Sequence, residues 1–154
     1  MTALRAAVLW LHVLCGVTWV GTSAAFVLAA SSMAVDTAEW RDFALRAAPR
    51  INRLNFAAAA LIPLTGIGNL FGAAMTRKGP FPPAFMGILS LKVTIYFVMA
   101  ILLSAAVGAE RRMREAAAAA DGLEAAARRL VRLYVTIAGC GVAALGLGLW
   151  LAGT

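Results

Sequence analysis

Of 154 residues, 62% are hydrophobic and only 14% are charged, with a mean hydropathy of +0.85. This is far from the makeup of a soluble domain, near-half apolar and a quarter charged, and it excludes a water-soluble enzyme of ordinary kind. The formal charge is +7, but the basic residues stand in short tracts between long apolar runs rather than along one soluble face, so membrane topology explains them and nucleic acid is not expected as a partner.

Taken in order, apolar stretches cover residues 6–33, 54–75, 85–109 and 133–152, each long enough to cross a bilayer as a helix of about 20 residues. Backbone groups in lipid must bond internally, and runs rich in Ala and Leu satisfy them as helices rather than barrel strands. The expectation is an all-α integral membrane four-helix bundle forming one transmembrane domain over 1–154, with helices at about 4–33, 54–75, 84–109 and 130–152. The first run far exceeds the roughly 7–15 apolar residues of a signal-peptide core, so it is expected to stay as a span.

In the first connection, Asp36 followed three residues later by Glu39 reads as a helix start, and Trp40, Phe43 and Ala47 share one face, which predicts a short helix lying at the headgroup level. Pro63 should bend the second span and free a carbonyl, to be met by Thr65 or a water. Residues 76–83, rich in Pro and Gly, form a tight turn. The pairs Glu110/Arg114 and Glu124/Arg128 flank Asp121-Gly122, so the third and fourth helices should run beyond the bilayer and turn there. Gly66 and Gly68 in the second span, with Gly139, Gly141, Gly146 and Gly148 in the fourth, permit close helix contact within the chain or in a homo-oligomer. Cys15 and Cys140, far apart in apolar runs, resemble neither a zinc site nor a disulfide framework.

An even number of spans puts both termini on one side. Lys and Arg number ten in the first and third connections (Arg41, Arg46, Arg50, Arg53, Arg111, Arg112, Arg114, Arg128, Arg129, Arg132) against three at the other end (Arg5, Arg77, Lys78). The positive-inside rule then places the arginine-rich end in the cytoplasm and the termini outside, in a multi-pass protein of the plasma (inner) membrane.

Two residues do not belong in lipid. His12, the only histidine, lies in the first span, and Lys92 lies in the third. A lysine near the centre of a span costs about 2.5–3.5 kcal/mol on insertion scales, so such groups usually face the bundle interior and carry function. Each is about 8 residues from the same end of its span, hence ~12 Å deep and level with the other, with Thr65 and Asn69 at comparable height. The alternatives are a snorkelling Lys92 and a His12 hydrogen-bonded to a neighbouring helix. Along its helix His12 is followed on one face by Cys15, Gly16, Trp19 and Ser23, where Gly16 would give the imidazole clearance. Lys92 shares a face with Leu89, Tyr96 and Met99, which suits a flat macrocycle or ordinary packing.

The run Leu11-His12-Val13-Leu14-Cys15-Gly16-Val17-Thr18-Trp19-Val20-Gly21 resembles the first helix of the CopD-like copper-resistance membrane proteins and the related HemJ family. Leu89-Ser90-Leu91-Lys92-Val93-Thr94, continuing to Gly108-Ala109-Glu110-Arg111-Arg112, resembles their lysine-bearing third helix. The HemJ resemblance implies a membrane protein that binds haem b and oxidises protoporphyrinogen. His12 would then be the ligand of haem iron and Lys92 the catalytic residue, meeting a porphyrin propionate or substrate, with Gly16, Trp19, Asn69, Tyr96 and Met99 lining the cofactor. The basic residue those enzymes carry just after the first helix is absent here, where Ala29-Ala30-Ser31-Ser32 stands. The sixth iron position would fall to Met99, a water, an open site or another subunit, and redox work would require an electron-transfer partner. The CopD resemblance implies copper transport or resistance instead, with His12, Cys15 and Met99 as soft ligands. A third reading is an accessory subunit without catalytic activity.

Overall fold

The computed structural model describes residues 3–34, 37–119 and 122–152, which form four α-helices: α1 (Ala3–Ser31), α2 (Ala38–Thr76), α3 (Pro83–Ala119) and α4 (Leu123–Ala152). All four are long and apolar enough to cross a membrane, and no strand occurs among the described residues. The protein is therefore an all-α bundle of multi-pass membrane type, as its composition implies.

The helices close a ring in which α1 packs on α2 and α4, and α3 on the same two neighbours. Their side-chain meetings fix every neighbouring pair as antiparallel. Along α1, His12 meets Thr65 and Thr22 meets Asn55 of α2, while Gly16 faces Leu145 and Val20 faces Gly141 of α4. Lys92 and Met99 of α3 face Gly148 and Gly141 in turn. Hence α1 starts and α4 ends at the same end of the bundle, opposite the arginine-rich connections.

The first connection departs from expectation. Residues 38–53 do not form a separate helix lying on the membrane; they are the first turns of α2, which runs unbroken for 39 residues. Trp40, Ala44 and Ala48 are buried there, and Phe43 stacks on Phe26 of α1 at 5.5 Å between centroids. The start at Asp36 lies outside the described residues. The cap is Thr37, whose hydroxyl accepts from the Trp40 backbone amide at 3.2 Å and satisfies one of the first-turn donors. At the other connections α3 opens on Pro83, which lacks the N–H that a first helical position leaves unused. Beyond the third span α3 runs on to Ala119, and Gly122 at φ +68° supplies the left-handed residue of the following turn.

Pro63 does free a carbonyl, that of Ala59 four residues earlier. Neither Thr65 nor a water is needed to meet it: the Tyr96 hydroxyl of α3 donates to the Ala59 oxygen at 3.0 Å. Thr65 turns back on its own helix instead, donating to Leu61 O at 2.8 Å. Tyr96→Phe should thus cost about 1–2 kcal/mol in thermal unfolding of the detergent-solubilised protein, the price of an orphaned buried acceptor. An unchanged midpoint would mean that the carbonyl is satisfied by other means.

Burial is uneven along the bundle. Going from the arginine-rich end toward the termini, the buried apolar side chains stop at Cys15, Ala59 and Met99 on α1, α2 and α3, and at Ile137 on α4. Beyond this layer Thr65 and Gly141 are still buried, while Val8, His12, Asn69, Leu89 and Lys92 are half-buried. The helices are tightly packed at one end and open at the other, where both unusual spans place their polar residues.

Candidate functional site

His12 projects from α1 onto α2. Its Nδ1 lies 2.9 Å from Thr65 Oγ1, a hydroxyl that also stands 2.8 Å from the Leu61 carbonyl and 3.1 Å from that of Ile62. With the Thr65 proton on its own helix, Nδ1 donates to the threonine oxygen and Nε2 keeps a lone pair; with Thr65 as donor, Nδ1 accepts and Nε2 carries the hydrogen. Clearance for the ring comes from Gly66 of α2, where an added Cβ would stand 3.3 Å from His12 Cε1. The expected source, Gly16, faces Leu145 of α4 at 3.6 Å and does not border the imidazole. The imidazole is thus hydrogen-bonded to a neighbouring helix, as one reading required.

Lys92 does not snorkel to the lipid side. Its Nζ lies over Gly148, where a Cβ would come within 2.8 Å of it. Because Gly16 opposes Leu145 and Val20 opposes Gly141, counting back along α1 sets His12 level with position 149 of α4, about one residue, or ~1.5 Å, from Gly148. The two groups share a depth, as counting from the span ends indicates. No hydrogen bond or ion pair joins Lys92 to another described residue.

The remaining candidates separate. Trp19 is 1% exposed and meets Tyr96 edge-on at 6.1 Å, with its indole N–H unpartnered among the described residues. Tyr96 is committed to Ala59. Both form the floor under the open end rather than its lining. Met99 is buried between Gly141 and Val20, about 12 Å farther along the bundle than His12 at 1.5 Å per residue, and so does not approach it as a sixth ligand. Cys15 is buried one turn below His12, and the three soft donors His12, Cys15 and Met99 do not converge on one ion. Among the described residues, no group of three or more His, Cys, Asp and Glu forms a metal cluster. Asn69 is half-buried near the level of Val8, with no bonded partner among the described residues.

Sequence reasoning missed the densest polar site. At the packed end Asn52 of α2 donates from Nδ2 to Glu110 Oε2 at 2.5 Å and accepts at Oδ1 from the Tyr134 hydroxyl at 2.7 Å. The other carboxylate oxygen of Glu110 takes both Nε and Nη2 of Arg114. One turn along α2, Asn55 accepts from Thr22 at 2.6 Å and donates to Ser23 at 3.2 Å. Asn52 and Asn55, three apart on α2, thereby tie it to α1, α3 and α4. Their spacing was a usable signal: two amides on one helix face at the edge of a span.

One charge asymmetry is equally readable. All seven acidic residues fall within 36–42 and 110–124, at the arginine-rich end, whereas the open end holds Arg5, His12, Arg77, Lys78 and Lys92. Compared with known proteins, the chain matches no family model, no curated protein and no solved structure.

Proposed function

We propose that the protein is a haem- or porphyrin-binding protein of the plasma membrane, oriented with its arginine-rich end in the cytoplasm and its open end outward. The observation that carries this reading is the imidazole of His12, held by Thr65 at 2.9 Å in the less deeply buried half of the bundle and level with Lys92. A hydrogen bond from one ring nitrogen to a neighbouring helix orients an imidazole whose other nitrogen ligates, and raises its basicity.

The residues present fit one axial bond and one counter-charge. His12 would hold the iron, Gly66 leaves room beside the ring, and Lys92, which has no ion pair among the described residues, would meet a carboxylate of the guest. When bound, haem supplies one-electron redox chemistry that the side chains of this site lack. The chain's own part is to hold, orient and balance charge. Oxidation of a porphyrinogen is the activity that the HemJ resemblance suggests, and it would need an external electron acceptor.

Copper handling is less favoured, since His12, Cys15 and Met99 stand at different heights. Protein purified from haem-replete cells should show a Soret band, lost in His12→Ala and retained in Cys15→Ser. Thr65→Val should weaken haem retention about 10-fold, the lower end for losing the hydrogen-bond partner of a ligating histidine. Colourless wild-type protein would overturn the proposal. Metal binding that depended on Cys15 would favour copper, and neither property in any variant would leave an accessory subunit.

A further inference from the structure

The α2–α3 seam opens at the packed end into a cleft of about 390 Å³ lined by Pro49, Asn52, Arg53, Phe56, Val107, Glu110 and Arg114. Its position along the chain sets its depth. Arg53 is the last cation before the apolar run 54–75, and Glu110 directly follows the apolar run 85–109, so the cleft sits where hydrocarbon gives way to headgroups. Its two ends differ in chemistry. Phe56, 48% exposed, and Val107 face the hydrocarbon side, while Arg53 and Arg114 stand at the polar side.

The charges are unequally available. Both oxygens of Glu110 are already occupied, Oε1 by Arg114 and Oε2 by Asn52, so the buried carboxylate is screened from a guest. Among the described residues, Arg53 bonds only through Nε, to the Pro49 carbonyl at 3.4 Å, and neither of its Nη groups has a partner. Among the same residues, Arg114 Nη1 has none either. A cleft with an apolar wall toward the bilayer and an arginine fork at the headgroup level suits an anion attached to an acyl chain.

We propose that this cleft is a binding site for an anionic phospholipid, with the phosphodiester against Arg53 and Arg114 and an acyl chain along Phe56 and Val107. The site is independent of any haem at the opposite end of the bundle. Unlike a diffuse basic surface, it predicts that one arginine matters far more than its neighbours. Arg46 is the matched control: it lies on the same helix, is exposed, and bonds through Nε to the Asp42 carbonyl, but does not line the cleft.

The test is native mass spectrometry of the delipidated full-length protein titrated with phosphatidylglycerol or phosphatidylcholine of equal chain length. Phosphatidylglycerol should be retained over phosphatidylcholine, and Arg53→Gln should weaken that retention about fivefold, the effect of one arginine near a membrane surface, while Arg46→Gln leaves it unchanged. Phe56→Ala should weaken retention of the lipid but not of inorganic phosphate, which separates a lipid site from a free-phosphate site. Equal retention of the two lipids would overturn the proposal. So would equal losses in Arg53→Gln and Arg46→Gln, the result expected of surface charge alone. Both arginine variants leave the Glu110–Arg114 pair intact, and circular dichroism would confirm that each is folded.

Discussion

Asn52→Ala should be the most damaging polar truncation in the bundle, lowering stability by about 2–4 kcal/mol, the loss of one hydrogen bond to a charged group and one to a neutral group. The side chain is 4% exposed and serves two buried groups at once, the Tyr134 hydroxyl and the Glu110 carboxylate. Its orientation is fixed by them, since a flipped amide would set its oxygen against the carboxylate. The Tyr134 hydroxyl, 0% exposed, has no water within reach when the amide is lost, whereas Glu110 lines the cleft and keeps Arg114. Asn55→Ala gives the comparison. It strands less, because Thr22 and Ser23 each have a carbonyl of α1 to donate to, at 2.7 Å and 2.8 Å, and its cost should be about 1 kcal/mol. Unfolding of both variants in detergent, followed by circular dichroism, measures the difference. Equal costs would mean that the Asn52 network contributes no more than a single hydrogen bond.

Gly141→Ala should destabilise the bundle by about 1–3 kcal/mol, the usual effect of overpacking, whereas Gly139→Ala and Gly146→Ala should be neutral or slightly stabilising because alanine is the better helix former. A Cβ at Gly141 would fall onto Val20 of α1 and within 3.3 Å of the Met99 methyl, while at Gly139 and Gly146 it meets nothing within 4 Å. Val20 is β-branched and cannot swing away without leaving its one preferred helical rotamer. Gly148→Ala is intermediate, since the Cβ there meets the flexible tip of Lys92. Thermal midpoints for the four variants would rank these contacts, and a Gly141 variant as stable as the Gly139 one would show that α1 and α4 separate at little cost. The ranking also bears on assembly. Gly66, Gly68, Gly141 and Gly148 are used inside the chain, against His12, Val8, Val20 and Lys92, so most of the glycine pattern is explained without a second copy.

How far the site was legible varies residue by residue. The matched depth of His12 and Lys92 follows from counting, because helical rise is constant and both spans enter from the same end. Which glycine borders the imidazole does not follow, since Gly16 is a neighbour on the same helix and Gly66 becomes one only when α2 packs antiparallel on α1. Glu110 reads in the sequence as half of a surface i,i+4 pair. That pair exists, at 2.7 Å to Arg114, but the second carboxylate oxygen is turned to Asn52, which is distant in the chain. Met99 and Tyr96 share the Lys92 helix face and so looked like lining. Their partners, Gly141 and the Ala59 carbonyl, lie on other helices and draw them into packing instead.

The sequence by itself determined four spans, their antiparallel order, the basic end and the two ionisable residues at one height, because hydrophobic length, charge placement and helical rise are local properties that need no partner. It did not determine that residues 38–53 join the second span as one buried helix, for their charged face resembles a membrane-surface segment until Phe26 and Tyr134 are seen packed together beside Phe43. Nor did it determine the Asn52 network or the pairing of His12 with Thr65. Each depends on which groups of other helices come within hydrogen-bond distance, and only the packed tertiary structure decides that.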